Sequence, residues 1–203
     1  MRGERKGLET LTDADRWVVA HPCDRWIYDK LLLSAKLGYK CGPAGVPVPT
    51  PGMYVVRPIT NLLGMGIGAT EVYIDDDTDF ISPGHFWCEK FTGRHLSIDF
   101  VDREPVLCVE GLRTPGAPLW KWNKWRRVNS AIPFPRVLKC LQDTTKINCE
   151  FIDGKLIEVH QRLNTDMGEY EEVIPVWKMD EPRDLEHQGF MFYNDPDYNR
   201  IGF

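Results

Sequence analysis

Ile147-Asn148-Cys149-Glu150-Phe151-Ile152-Asp153-Gly154-Lys155-Leu156-Ile157-Glu158-Val159-His160-Gln161-Arg162-Leu163-Asn164 reads as two short β-strands joined at Asp153-Gly154, a dipeptide that favours a tight hairpin turn. Loop length decides which side chains share a face. A two-residue turn in a regular ladder places Cys149 opposite Glu158 and Glu150 opposite Ile157, which mixes polar and apolar residues on both faces. A three-residue loop over Ile152-Asp153-Gly154, with Gly154 left-handed in a bulge, changes the parity. Ile147, Cys149, Phe151, Ile157 and Val159 then form one apolar face. Asn148, Glu150, Glu158, His160 and Arg162 form the other, interrupted by Leu156. A half-buried sheet wants one clean face, so the pattern predicts the odd loop. Two carboxylates, an imidazole and a guanidinium then project to the same side. Adjacent carboxylates repel and call for a cation between them, and hard oxygen ligands suit Mg²⁺. Arg162 beside them suits a phosphate. The plain alternative is a solvated strand face of alternating charge.

Upstream, Met53 to Ile59 is strand-like, presents Arg57, and has Pro58 at its end or on an edge. Gly64, Gly66 and Gly68 follow. Glycines permit close backbone approach, and successive amides can cradle phosphate oxygens, with Arg57 as a fixed positive group behind them. No Gly-Lys-Ser/Thr follows, so a flexible turn is the competing reading. Phe86 to Phe91, His95 to Val101 and Val106 to Glu110 read as short β segments. Asp24 to Leu37 reads as a helix capped by Asp24 and ended by Gly38, and Ile132 to Gln142 as a short helix with Pro135 in its first turn. The stretch from Gly42 to Gly52, carrying Pro43, Pro47, Pro49 and Pro51, reads as a connector that neither a helix nor a sheet interior tolerates. The chain past Met179 reads as a polar, aromatic tail. The class is α+β.

The order of these pieces resembles the ATP-grasp superfamily of carboxylate-activating ligases. The likeness runs from Tyr54-Val-Val-Arg57-Pro58 through the glycine segment and Cys88-Glu89-Lys90-Phe91-Thr92-Gly93-Arg94-His95 to the hairpin ending at Asn164, over half the chain. It implies two small α+β lobes with antiparallel sheet and an acidic C-terminal hairpin. It divides the chain into a reduced N-terminal region (1–52), a nucleotide-binding region (53–178) and a tail (179–203). Arg57 resembles the family's phosphate-binding cation, and Gly64, Gly66 and Gly68 its lid. Glu89, Lys90 and Phe91 resemble the hinge against adenine, with His95 where the family usually has a ribose-binding glutamate. Glu150 and Glu158 resemble the metal ligands, with His160 at the position of a third, where an asparagine is usual. Arg162 resembles the phosphate contact after them, and Arg126 or Arg127 the further arginine that the family places before the hairpin. The resemblance thus implies catalytic roles for Arg57, Arg127 and Arg162, and ATP with Mg²⁺ as cofactors. An imidazole ligand would shift the metal toward Mn²⁺. The implied reaction is phosphorylation of a carboxylate on a small molecule or peptide, and attack on the acyl phosphate by an amine or similar nucleophile. The short N-terminal region leaves a partner chain or oligomer as the source of a substrate site.

Composition narrows the alternatives. The 203 residues carry Lys+Arg 25 against Asp+Glu 30, a net charge of −5, which disfavours nucleic acid binding by bulk charge. Trp120-Lys121-Trp122-Asn123-Lys124-Trp125-Arg126-Arg127 interleaves rings and cations as a single-strand stacking surface does, although a tryptophan-anchored loop with snorkelling cations explains it more simply. No apolar run approaches the roughly 18 residues of a membrane span. The charged stretch Met1 to Glu9 has no apolar segment behind it, and six cysteines lack any Cys-x-x-Cys pair; the expectation is a cytoplasmic protein with reduced thiols. The departures at His95 and His160 and the short N-terminal region keep a second alternative open, a catalytically degenerate ATP-grasp fold that serves as a binding or structural module.

Overall fold

The computed structural model describes residues 12–62, 66–180, 189–197 and 199–203. Three short helical segments open the described chain: α1 (Asp13–Val19), a 3-10 segment (Pro22–Tyr28) and α2 (Lys30–Lys36). A four-stranded antiparallel sheet follows, made of β1 (Cys41–Pro43), β2 (Gly52–Pro58), β3 (Thr70–Ile74) and β4 (His85–Glu89) in the order β1-β4-β2-β3. The larger sheet contains β5 (His95–Val101), β6 (Glu104–Leu112), β7 (Lys124–Arg127), β8 (Ile147–Ile152), β9 (Lys155–His160) and β10 (Glu172–Val173), ordered β10-β7-β6-β5-β8-β9. A small third sheet joins β11 (Val176–Trp177), β12 (Asn194–Asp197) and β13 (Arg200–Gly202). The architecture is α+β, with few helices and antiparallel sheets. No helix among the described residues is long and apolar enough to cross a membrane, and all six cysteines are free thiols.

Alternation along the central strands separates core from site. Leu96, Ile98 and Phe100 of β5 point to one side with Ile147, Cys149 and Phe151 of β8, and the helical residues Ile27, Tyr28 and Leu33 close over them with Leu138 and Leu141. The opposite face of the same strands carries His95, Ser97, Asp99, Asn148 and Glu150. The N-terminal helices are thus part of the large lobe's core. Val48, Tyr54, Val56, Ile74, Ile81 and Trp87 form a separate core behind the small sheet.

The decisive hairpin reaches the expected parity by another route. Asp153 and Gly154 both have positive φ (49° and 75°), and Ile152 pairs with Lys155, so the turn has two residues and not three. The extra residue lies in β9: Phe151 pairs with Leu156 and Glu150 with Glu158, leaving Ile157 as a bulge. Leu156, expected to interrupt the polar face, is buried in the core, while Ile157 turns toward the site. Asp-Gly satisfies the tight turn's demand for two left-handed residues, so the correction needed to bury Phe151 and Leu156 together moves into the strand.

Other expectations also need correcting. Asp24 caps no long helix. Its buried carboxylate instead accepts from the backbone amides of Gln142 and Asp143 at 2.9–3.0 Å, tying the N-terminal segment to the stretch before β8. The helix begins later, with Asp29 capping α2 through Leu32 N at 2.7 Å. The expected helix at 132–142 is a single 3-10 turn, Arg136–Cys140, with Pro135 before it. The Gly42–Gly52 connector opens with residues that belong to β1, an edge strand where Pro43 loses no ladder bond to a further neighbour.

Candidate functional site

A cavity of about 630 Å³ lies between the small sheet and the polar face of the large one. Arg57, Glu89, Lys90, Phe91, His95, Glu150, Glu158, His160 and Arg162 all line it, together with Gly66. Most of the residues singled out from the sequence are therefore brought together. Gly68 is not among the lining residues, and Gly64 lies outside the described ones.

On the small-sheet side, Arg57 is 8% exposed, its guanidinium 5.3 Å from the Phe86 ring centre. Its Nη2 donates to the Ile157 carbonyl at 3.1 Å, while its Nε has no hydrogen-bond partner. A buried cationic donor without a partner is costly unless a ligand completes it. Past β4, Lys90 pairs with Glu71 of β3 at 2.6 Å, and Phe91 packs edge-on against Tyr39. Lys90 and Phe91 thus form a rim of the cavity held from both sides.

The opposite wall is the β8–β9 hairpin. Glu150 and Glu158 are direct cross-strand partners on one face, an arrangement that is unfavourable unless each charge is answered. Glu150 Oε2 lies 3.2 Å from His95 Nε2, and Glu158 Oε1 lies 2.6 Å from Lys30 Nζ. Burial alone would raise the Glu150 carboxyl, but the His95 contact and the charges of His160 and Lys30 outweigh it and hold the group at about 2. His95 is fixed in turn by the rings of Trp122 and Trp125, at 4.6 and 5.8 Å between centroids.

Beyond Glu158 stands a buried ionic cluster. Asp13, the first residue of α1, receives His160 Nδ1 at 2.9 Å and grips Arg162 with both carboxylate oxygens, Nε and Nη2 each at 3.0 Å. Burial opposes ionisation of Asp13, yet these two cations hold its carboxyl far below the usual range. Burial likewise pulls His160 down, and Asp13 more than restores it, so the imidazole titrates above its ordinary value. Its Nε2 faces Glu158 Oε1 at 3.6 Å. Deeper still, Asp99 accepts from Asn148 Nδ2 and Asn164 N, and burial pushes its carboxyl up to about 6 despite these bonds.

Arg127 is a correction. It does not line the cavity but donates to the carbonyls of Tyr170 and Gly168 at 2.8 and 2.6 Å. Arg126 is paired with Glu110, Lys124 with Glu172 and Lys121 with Asp180. The aromatic and basic stretch is thus consumed internally, with Trp120 on Trp177 and Trp122 on Trp125. Conversely, Lys30 and Asp13 went unnoticed in the sequence. In the sequence Lys30 lies inside the expected Asp24–Leu37 helix and Asp13 in no expected element, and only the return of β9 more than a hundred residues later gives each a partner.

Among the described residues no three His, Cys, Asp or Glu side chains are arranged to hold a metal ion by themselves. Glu150 meets the His95 imidazole and Glu158 the Lys30 ammonium through one oxygen each and keep the other for a further partner, which fits one hard cation shared with ligand oxygens. His160 fits less well, since its Nδ1 is on Asp13 and its Nε2 faces a carboxylate already paired with Lys30.

No family model matches the sequence, and no curated protein does. Among solved structures, the chain is similar to an ATP-grasp superfamily protein from Archaeoglobus fulgidus, with a TM-score of 0.51 at 15% identity over 77% of this chain and 60% of that one. It is also similar to the ATP-grasp ligase PsnB complexed with a minimal precursor (TM-score 0.46, 12% identity, 75% and 58% covered). An L-amino acid ligase from Bacillus licheniformis gives a TM-score of 0.42 at 14% identity, with 67% and 40% covered. The matched region therefore spans 40% to 60% of the length of these structures. With the first of these likenesses joined to the two sheets and the acidic hairpin described above, this chain has the ATP-grasp fold.

Proposed function

We propose that this chain binds ATP with a divalent cation between its two sheets and activates a carboxylate as an acyl phosphate for attack by an amine or similar nucleophile. The observation that carries the reading is the buried Arg57 guanidinium, with an unpartnered Nε, facing across one cavity the cross-strand pair Glu150 and Glu158. Arg57 would bind the phosphates as a fixed cation. Lys90 and Phe91 would receive the base, Phe91 offering a ring edge already oriented by Tyr39. Glu150 and Glu158 would hold Mg²⁺, which neutralises charge on the phosphates when bound. The remaining task of these residues is positioning: the γ-phosphoryl group passes to a carboxylate oxygen, ADP leaves, and the nucleophile then expels phosphate.

A second reading is favoured by one contact. Asp13 grips Arg162 in bidentate fashion, which withholds that guanidinium from a ligand and suits a fold that binds without turning over. Internal pairing of Lys121, Lys124 and Arg126 speaks against a single-strand nucleic-acid surface. Calorimetry with Mg-ATP on the wild type, Arg57→Ala and Glu150→Gln tests the site. Micromolar binding, lost in both folded variants, is expected; no binding by the folded wild type overturns it. ADP release with paired carboxylates and amines then separates the ligase from the binding module.

A further inference from the structure

We propose that Lys30 is a built-in cation of the phosphate site, occupying one oxygen of Glu158 that a divalent cation could otherwise use, so that the nucleotide complex contains one divalent cation. The inference rests on the nucleotide-binding reading above. Lys30 is 4% exposed and lines the cavity, with its ammonium 2.6 Å from Glu158 Oε1. It is the first residue of α2, and its position is fixed through the backbone. Lys30 N donates to the Ile59 carbonyl at 2.8 Å, just past the β2 segment that carries Arg57, and Ser34 Oγ donates to the Lys30 carbonyl at 2.7 Å. The same turn of chain therefore carries one cation and is bonded to the strand that presents the other.

Electrostatics at Glu158 then decide the metal count. Oε1 already has the ammonium at 2.6 Å and His160 Nε2 at 3.6 Å. A dication bound against that oxygen would lie within a few ångströms of a buried ammonium in a low-dielectric cleft, where like charges repel strongly. The other oxygen of Glu158, a residue paired with Glu150 across the hairpin, has no such neighbour. One hard cation between the two carboxylates is therefore compatible with Lys30, and a second on the far side of Glu158 is not. A buried ion pair of this kind contributes little net stability by itself, because desolvation offsets the attraction. Its location on the wall of the cavity that Arg57 also lines marks it as part of the charge that faces the ligand.

The test counts metal ions and does not depend on turnover. The full chain is saturated with the non-hydrolysable ATP analogue adenylyl imidodiphosphate, Mn²⁺ is titrated, and free Mn²⁺ is read by electron paramagnetic resonance. The wild type and Lys30→Arg are expected to bind one Mn²⁺ per nucleotide, and Lys30→Gln, which frees Glu158, to bind two. Two Mn²⁺ in the wild type, or one in a folded Lys30→Gln that retains the nucleotide, overturns the proposal while leaving nucleotide binding intact. If Lys30→Gln does not fold, the wild-type and Lys30→Arg counts decide alone. Failure of the folded wild type to bind the analogue overturns this proposal and the nucleotide-binding reading together.

Discussion

Arg57 Nη2 donates to the carbonyl of Ile157 at 3.1 Å, so the small sheet meets the acidic hairpin at the one residue that breaks the hairpin's ladder. The bulge thus does two things. It restores the parity that places Glu158 opposite Glu150, and it presents a backbone oxygen that orients the guanidinium.

Deleting Ile157 separates these effects. Leu156 and Glu158 become neighbours in a regular strand and keep their partners Phe151 and Glu150, but the carbonyl under Arg57 is displaced. The deletion variant is expected to melt cooperatively and to bind Mg-ATP at least about tenfold more weakly, the loss of roughly one oriented hydrogen bond to a charged group. Calorimetry beside a thermal melt checks this; wild-type affinity in a folded deletion variant would remove the bulge from the site.

Asp13 makes the stability of the large lobe depend on pH in both directions. Its carboxyl is depressed from 3.8, so its contribution is present above that value and is lost as pH falls through the folded-state value. His160 is raised from 6.5, so its contribution is full below that value and is lost as pH rises through the folded-state one. The cluster is therefore strongest between about pH 4 and pH 6.5. Asp13→Asn leaves a buried imidazolium and guanidinium without their anion and is expected to cost about 3–5 kcal/mol within that window. Urea titrations across pH read the difference; a constant, small difference would deny the cluster its charge.

Asp99 acts in the opposite sense. Burial raises its carboxyl from 3.8 to about 6, so the folded state holds the proton more tightly than the unfolded chain. Its effect is most favourable below about pH 4, declines as pH rises to about 6 and is level above, a span of about 3 kcal/mol at most. Asp99→Asn removes this decline. Carbon-13 detection of the side-chain carboxyl should show a midpoint near 6, and an ordinary carboxylate midpoint would contradict the assignment.

These charged pairs also show where reading the sequence stops. Periodicity and turn chemistry are local, and they suffice for β2, β5 and the shared face of Glu150, Glu158 and His160 on the hairpin; the gathering of Arg57, His95, Glu150 and Glu158 around one cavity is what the family resemblance implies. Asp13 with His160 and Lys30 with Glu158 join residues more than a hundred positions apart, and nothing near Asp13 or Lys30 signals a buried role. Asp24 illustrates the converse: its local pattern is that of a helix cap, and a tertiary demand from the amides of Gln142 and Asp143 overrides it. The bulge at Ile157 is not legible in the sequence because two different backbone devices put Glu150, Glu158 and His160 on one face; they differ only at Leu156 and Ile157, and the Asp153-Gly154 dihedral angles choose between them.

Two glycines beside the hairpin should respond differently to alanine. Gly154 sits in the turn at φ 75° with nothing within 4 Å of an added Cβ, so Gly154→Ala pays only the left-handed strain, about 1–2 kcal/mol. Gly93, at φ 128° between the Lys90–Phe91 rim and β5, would place its Cβ 2.7 Å from the Cβ of Asp153. That contact cannot be relieved by a rotamer change, and Arg94 O is fixed there by Asp153 N at 2.9 Å. Gly93→Ala must therefore push the rim away from the hairpin tip, which adds a packing cost and moves Lys90 and Phe91 relative to Glu150. The expected outcome is a larger fall in melting temperature for Gly93→Ala than for Gly154→Ala, with nucleotide affinity lost only in the former. Equal affinities in two folded variants would show that the rim does not contact the ligand.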